Sequence, residues 1–201
     1  MMEFKWVDGG VIINFSSNFP YDYVGIFGLA FLNPISRDDI FSKVNGLGDG
    51  FKLQLLNYES ITSWRHVASA AMKALRNFKY GTNISRRVEV ELLLYCSGFR
   101  QIRDAIKIVG LSEFVNKFVL VVFGLDECKV FEGFEKFTSI FPASSCIDIL
   151  NMKSNEHMKN LMKIFNISED ELKSVLKGNV SLNEALEYLL IERGSMLDAL
   201  R

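Results

Sequence analysis

Four places in this chain carry side chains capable of chemistry, and each also has a plainer use. Gly46-Leu47-Gly48-Asp49-Gly50 has the glycine density of a phosphate-cradling loop. It lacks the Lys-Ser/Thr pair of a P-loop and leads into an alternating apolar segment instead of a helix, so a turn needing positive φ is the simpler reading. His66 and His157 are the two histidines and lie far apart in sequence. A Ser–His–acid set or a metal cluster would have to assemble around one of them, with no local spacing to mark it. His66 falls at the edge of an apolar helical face, as a packed histidine would. Glu89 and Glu91 share one face of an alternating segment; they are either an acid pair or the partners of Arg86, Arg87 or Arg100. Cys96 closes the same segment, where a buried and inert thiol is expected over a nucleophile. The expectation is a non-enzymatic chain with no metal, no cofactor and no small-molecule substrate.

What remains is surface. The segment Trp64 to Phe78, opened by Ser63, is helical in pattern. At about 100° per residue, Val67, Ala71, Ala74, Leu75 and Phe78 gather on one face and Arg65, Ser69, Lys73, Arg76 and Lys79 on the other. No Asp or Glu interrupts this stretch, so the usual i,i+4 pairing is missing. Such a face is either simply solvated or able to grip phosphates. Arg86 and Arg87, then Arg100, Arg103 and Lys107, are candidates to extend it. Near the end of the chain, Leu182, Leu186, Leu189, Leu190, Met196 and Leu197 give more apolar surface than one short helix needs. That surface either packs back on the body or docks a partner.

The elements that position these residues follow from periodicity and punctuation. Strands are expected over Val11–Phe15, over Tyr23–Leu32 up to Asn33-Pro34, and over Phe51–Leu56. Ser36 starts a short helix. Val88, Val90, Leu92 and Leu94 alternate with Glu89 and Glu91, which predicts a strand running from the rim into the core. Ser97-Gly98 turns the chain into a helix over Arg100–Val109, with Ile102, Ala105, Ile106 and Val109 inward. Phe118–Phe123 reads as a buried strand, Phe131–Phe141 as a helix and Cys146–Leu150 as a final strand. From Ser154 the texture is helical: Asn155–Phe165, Ser168–Lys177 and Ser181–Leu200, with capping boxes at Ser168/Glu171 and Ser181/Glu184. The expected fold is α/β, a central mixed β-sheet flanked by helices. Residues 1–152 form the core domain and 153–201 a helical extension packed on it, with no Pro or Gly at the boundary.

Composition supports this picture. The 201 residues are 49% hydrophobic and 23% charged, enough for a sizeable core. The net charge is −1, so any nucleic-acid role must come from local clustering. Three widely spaced cysteines without a C-x-x-C pair point to reduced thiols in the cytoplasm. Met1 to Gly10 is interrupted by Glu3 and Asp8, unlike a signal peptide, and no apolar run reaches the ~20 residues of a membrane helix.

The middle of the chain resembles a known family. Gln54-Leu55-Leu56-Asn57, His66 with Ala70 and Ala74, Glu91-Leu92-Leu93-Leu94-Tyr95, Ser97-Gly98 followed by Arg100-Gln101-Ile102 and Ala105-Ile106, and Gly110 carry the likeness. They resemble the small KEOPS/EKC subunit known in animals as the PRPK-binding protein (TPRKB), particularly its archaeal form. Ile191-Glu192-Arg193 with Met196-Leu197 looks like the closing helix of that family. The resemblance implies a non-catalytic subunit that binds a small RIO-like kinase/ATPase and captures tRNA, including its single-stranded 3′ CCA end. The complex installs threonylcarbamoyladenosine at tRNA position 37. By the same resemblance Lys73, Arg76, Lys79, Arg86, Arg87 and Arg100 would contact tRNA, and Leu189, Leu190, Arg193 and Leu197 would face the kinase. Asn151 to Lys177 is long for an archaeal member. Gly178-Asn179-Val180 followed by Glu184 to Leu190 also resembles the last helix of a ubiquitin-associated domain, which leaves a protein-interaction adaptor without a tRNA role as the alternative.

Overall fold

Apolar alternation in two long strands organises the sheet. A computed structural model describes residues 2–15, 18–47, 50–142, 144–148, 155–176 and 180–199. In β5 (Phe114–Gly124), Val119, Val121 and Phe123 point into one apolar cluster, and Phe118, Leu120 and Val122 into another on the opposite face. Both faces of the sheet are therefore covered, and the strand reads as a continuous apolar run. The other strands are β1 (Glu3–Val7), β2 (Gly10–Asn14), β3 (Tyr23–Ser36), β4 (Phe51–Asn57) and β6 (Ser144–Cys146). Their order is β1-β2-β3-β5-β4, with β6 also on β3. The α/β class is as expected, but the pairings among the described residues are all antiparallel, where a mixed sheet was expected.

One face of the sheet is packed by α2 (Trp64–Tyr80), α3 (Val88–Ser97), α4 (Ile102–Val109), α6 (Asn155–Ile164), α7 (Glu169–Val175) and α8 (Leu182–Ala199). The other face is packed by α1 (Arg37–Val44) and α5 (Glu127–Ile140) through Ile40, Val130 and Phe137. The C-terminal helices share the core of the body: Leu161, Leu172, Ala185, Leu186 and Leu189 lie in one apolar cluster with Val24, Ile26 and Val121. The expected boundary at residue 152 and the Leu150 end of the expected last strand lie outside the described residues. No helix among the described residues is long and apolar enough to cross a membrane.

Three expectations need correction. Val88–Leu94 is helical, within α3. The V-E-V-E alternation covers only its first turn, where acids suit the N-terminal end of the dipole. The rest of α3 is buried nearly all round, so no polar stripe reveals the helical period. Next, β3 continues through Asn33-Pro34 to Ser36. Its ladder with β5 shifts register between Ala30 and Ile35, and this irregularity accommodates the N–H that Pro34 lacks. Finally, β1 was not anticipated; its residues are exposed and half polar, as an edge strand allows.

Candidate nucleic-acid and partner interfaces

Helix α2 begins where the Ser63 hydroxyl accepts a hydrogen bond from the Arg65 N–H at 3.1 Å and donates one to Glu187 of α8 at 2.5 Å. It ends at Gly81, whose φ of +65° suits a residue without Cβ. The buried arc of the helix is wide, because it packs on the sheet, on α3 and on α8. His66 and Asn77 therefore lie inside. Arg65, Met72, Arg76, Lys79 and Tyr80 are exposed and Lys73 is half-buried. Among the described residues Arg65, Lys73 and Arg76 form no ion pair. Arg65 instead lies 5.1 Å from the Trp64 ring centroid, and the Lys79 ammonium 5.5 Å from that of Phe19.

The structure thus gathers Lys73, Arg76 and Lys79 on one helix face. Arg86 and Arg87 follow in the loop after the C-terminal end of α2, beside an open groove of about 790 Å³ that Tyr21, Lys52, Gln54 and Phe78 also line. Arg86 is exposed, whereas Arg87 pairs with the buried Glu89 at 2.7 Å. Arg100 stands apart, past Gly98 at the far end of α3, about 15 Å of helix from Arg87. Arg103 and Lys107 are near it on α4, and Lys107 lies 3.6 Å from Asp104.

The residues expected to face a kinase point inward. Leu189, Leu190 and Leu197 are buried in the cluster shared with α2 and α3. Half-buried Arg193 donates to the Phe165 carbonyl at 2.5 Å and pairs with Glu171 at 2.7 Å. Gly194 allows this close packing: a Cβ there would come 2.4 Å from the Tyr95 carbonyl oxygen. The exposed side of α8 carries Leu182, Tyr188 and Met196 instead. On α4, Ala105 and Val109 face inward as expected, but Ile102 and Ile106 are 41% and 45% exposed. Ile102 and Ile106 thus form an outward apolar pair at i, i+4 spacing, and Phe99, in the loop before α4, is 43% exposed. That spacing was visible in the sequence; its direction was not.

The chemically suggestive side chains have structural partners. His66 is fully buried, and its Nε2–H donates to the Cys96 carbonyl at 3.0 Å. Burial pulls its pKa down to about 4 against the opposing pull of that carbonyl, so the ring is neutral near pH 7. Burial likewise pushes the Cys96 thiol well above the usual thiol range, which leaves it unreactive. Glu91 accepts from the backbone N–H groups of Ile84 and Ser85, at 3.0 and 2.6 Å, and so ties the α2–α3 loop to α3. His157 bonds Glu59 at 2.8 Å. Of the glycine-rich loop, Gly48 and Asp49 lie outside the described residues, and Gly46 and Gly50 both adopt positive φ.

A family model described as "Kinase binding protein CGI-121" matches residues 38–193. The chain belongs to the CGI-121 family. A curated relative, the "KEOPS complex subunit Cgi121" of Pyrococcus abyssi (strain GE5 / Orsay), is 35% identical over 69 residues. That alignment covers 34% of this chain and 39% of the relative, so it spans about two fifths of the relative's length. The CGI-121 match runs from α1 to Arg193 of α8 and takes in the whole cationic face of α2 and the exposed isoleucines of α4; β1, β2 and β3 precede it.

Proposed function

We propose that this chain is a non-catalytic KEOPS subunit that binds tRNA and docks the small RIO-like kinase/ATPase of the complex, in support of threonylcarbamoyladenosine formation at tRNA position 37. The relative's name supports membership of the complex, and the family description supports a kinase partner. One observation carries the RNA role: the outer face of α2 presents Arg65, Lys73 and Arg76 with no carboxylate among them and no ion pair among the described residues. Phosphates supply the counter-charge that the protein withholds. Lys73, Arg76 and Lys79 form the centre of the contact, and Arg86 extends it past Gly81. Arg87 contributes less, because Glu89 partly neutralises it. Arg100 meets the RNA backbone separately, at the far end of α3.

For the kinase, Leu189, Leu190, Arg193 and Leu197 act indirectly by fixing α8 to the body. The contact itself falls on Phe99, in the loop before α4, and on Ile102 and Ile106 of α4, and continues onto the outer side of α8, since Gly98 abuts Arg193. Mixing the purified chain separately with tRNA and with the kinase tests both parts. Lys73→Glu with Arg76→Glu should weaken tRNA binding by ~10-fold or more and spare the kinase. Ile102→Asp with Ile106→Asp should do the reverse. Unchanged tRNA affinity in the first variant would remove the RNA role; unchanged kinase capture in the second would move the docking face elsewhere.

A further inference from the structure

We propose that the outer edge of β4, in the groove between the end of α1 and the start of α3, takes up an extended acidic segment of a partner protein as an added strand. This does not rest on the RNA role proposed above and concerns a different surface.

β4 is the last strand of the sheet. It pairs with β5 on one side and with no other strand among the described residues. The backbone bonds outside helices and ladders include none from Phe51 to Leu56. Every second N–H and C=O of such a strand faces outward, open to a further strand. The groove of about 790 Å³ runs along this edge, since Phe51, Lys52, Leu53, Gln54 and Leu55 all line it. An edge of seven residues beside an open groove is the template that strand addition uses.

The two walls of the groove differ, and alternation in β4 is the reason. Phe51, Leu53 and Leu55 turn to the side of α1 and α5, where Val44 and Leu47 pack with Leu53 and the Phe41 ring is 44% exposed. Lys52 turns the other way, to the side of Leu56 and of the Arg86–Glu89 segment that opens α3. Lys52 and Arg86 are exposed and form no ion pair among the described residues. Glu89 is the one acid among the described lining residues, and it is buried and held by Arg87 at 2.7 Å.

These walls select the occupant. A strand laid on β4 alternates likewise, so it must be apolar towards α1 and acidic towards Lys52 and Arg86. About five residues, ~17 Å, reach from one end of the lined edge to the other. A second copy of β4 lacks this pattern: Phe51–Asn57 carries Lys52 and no acid, so pairing two copies would bring cation to cation. A nucleic-acid strand presents no row of N–H and C=O groups to the edge.

The probe is a labelled peptide of about eight residues alternating valine and glutamate, titrated into the full chain by fluorescence anisotropy. Saturable binding is expected, with slowed amide exchange in Phe51–Leu55, and the valine–lysine counterpart should not bind. N-methylation of one alternate set of peptide nitrogens should abolish binding and of the other set should spare it, because a strand shows its neighbour only every second N–H. Lys52→Glu should weaken the valine–glutamate peptide about 10-fold or more and admit the valine–lysine one, a gain that a misfolded variant would not show. The same variant should keep its tRNA affinity, since Lys52 lies outside the cationic face of α2. Failure of the valine–glutamate peptide to bind, equal binding of both peptides, or equal effects of the two N-methylated sets would each overturn the added strand. So would protection of Phe51–Leu55 by tRNA, or by rising protein concentration, in place of the peptide. The α2 face is judged apart from this, by the tRNA affinity of Lys73→Glu with Arg76→Glu.

Discussion

His66 is held neutral by burial, and this has a measurable consequence. The folded ring titrates near pH 4 and the unfolded ring near its ordinary 6.5. As pH falls from 6.5 towards 4 the unfolded chain takes up a proton that the folded chain refuses, so stability drops across that window and levels off below it. The shift corresponds to roughly 3 kcal/mol. Urea titrations of the parent and of His66→Gln at pH 7 and pH 4.5 should show a smaller acid loss in the variant; equal losses would mean that the ring is not buried as described. Tyr95 is a second such residue. Its hydroxyl accepts from the Asn77 amide and donates to Asp198 at 2.6 Å, joining α2, α3 and α8. Tyr95→Phe should lower stability by about 2 kcal/mol, read as a shift in the urea midpoint. Neither partnership was legible in the sequence, because each joins residues on different elements, from 18 to 103 positions apart. The missing acids of α2 were legible, since a local count reveals them. The Arg87–Glu89 pair was anticipated as one of several partnerships for Glu89 and was settled only by the turn that places the two side chains together.

At the scale of elements, Gly194 sets how closely α8 approaches α3. Gly→Ala within a helix ordinarily favours folding by about 1 kcal/mol through propensity. Here the new methyl would meet a backbone carbonyl at 2.4 Å, and either helix would have to shift. Gly194→Ala is therefore expected to destabilise by about 1–2 kcal/mol net, measured by thermal melting; a raised midpoint would contradict the packing described. Most elements could be read from periodicity and caps. The Ser181/Glu184 capping box forms reciprocally, with the Ser181 N–H on the Glu184 carboxylate at 2.9 Å and the Glu184 N–H on the Ser181 hydroxyl at 3.3 Å. At Ser168 the hydroxyl caps α7 as expected, but the Glu171 carboxylate turns to Arg193 instead. α3 was misread because a helix buried on all sides loses the polar stripe that marks its period. Ile102 and Ile106 were misplaced because an apolar stripe shows that a helix is two-sided, not which side meets the body.

In the whole molecule, the C-terminal helices and the body share one core, so the tail cannot be removed without consequence. Truncation after Ile191 takes away buried Leu197, the Gly194 contact and Asp198 together. It should lower the melting temperature markedly, and any loss of kinase capture would then report folding. Point changes on α4 are the cleaner probe. The central claim is that Arg65, Lys73 and Arg76 on the outer face of α2, which form no ion pair among the described residues, bind an RNA backbone. The salt dependence of tRNA affinity tests it most directly. For Lys73→Gln with Arg76→Gln, which removes two phosphate partners and adds no repulsion, the slope of log K against log salt should flatten by about 2 and affinity should fall uniformly across tRNA sequences. An unchanged slope with unchanged affinity would contradict the claim.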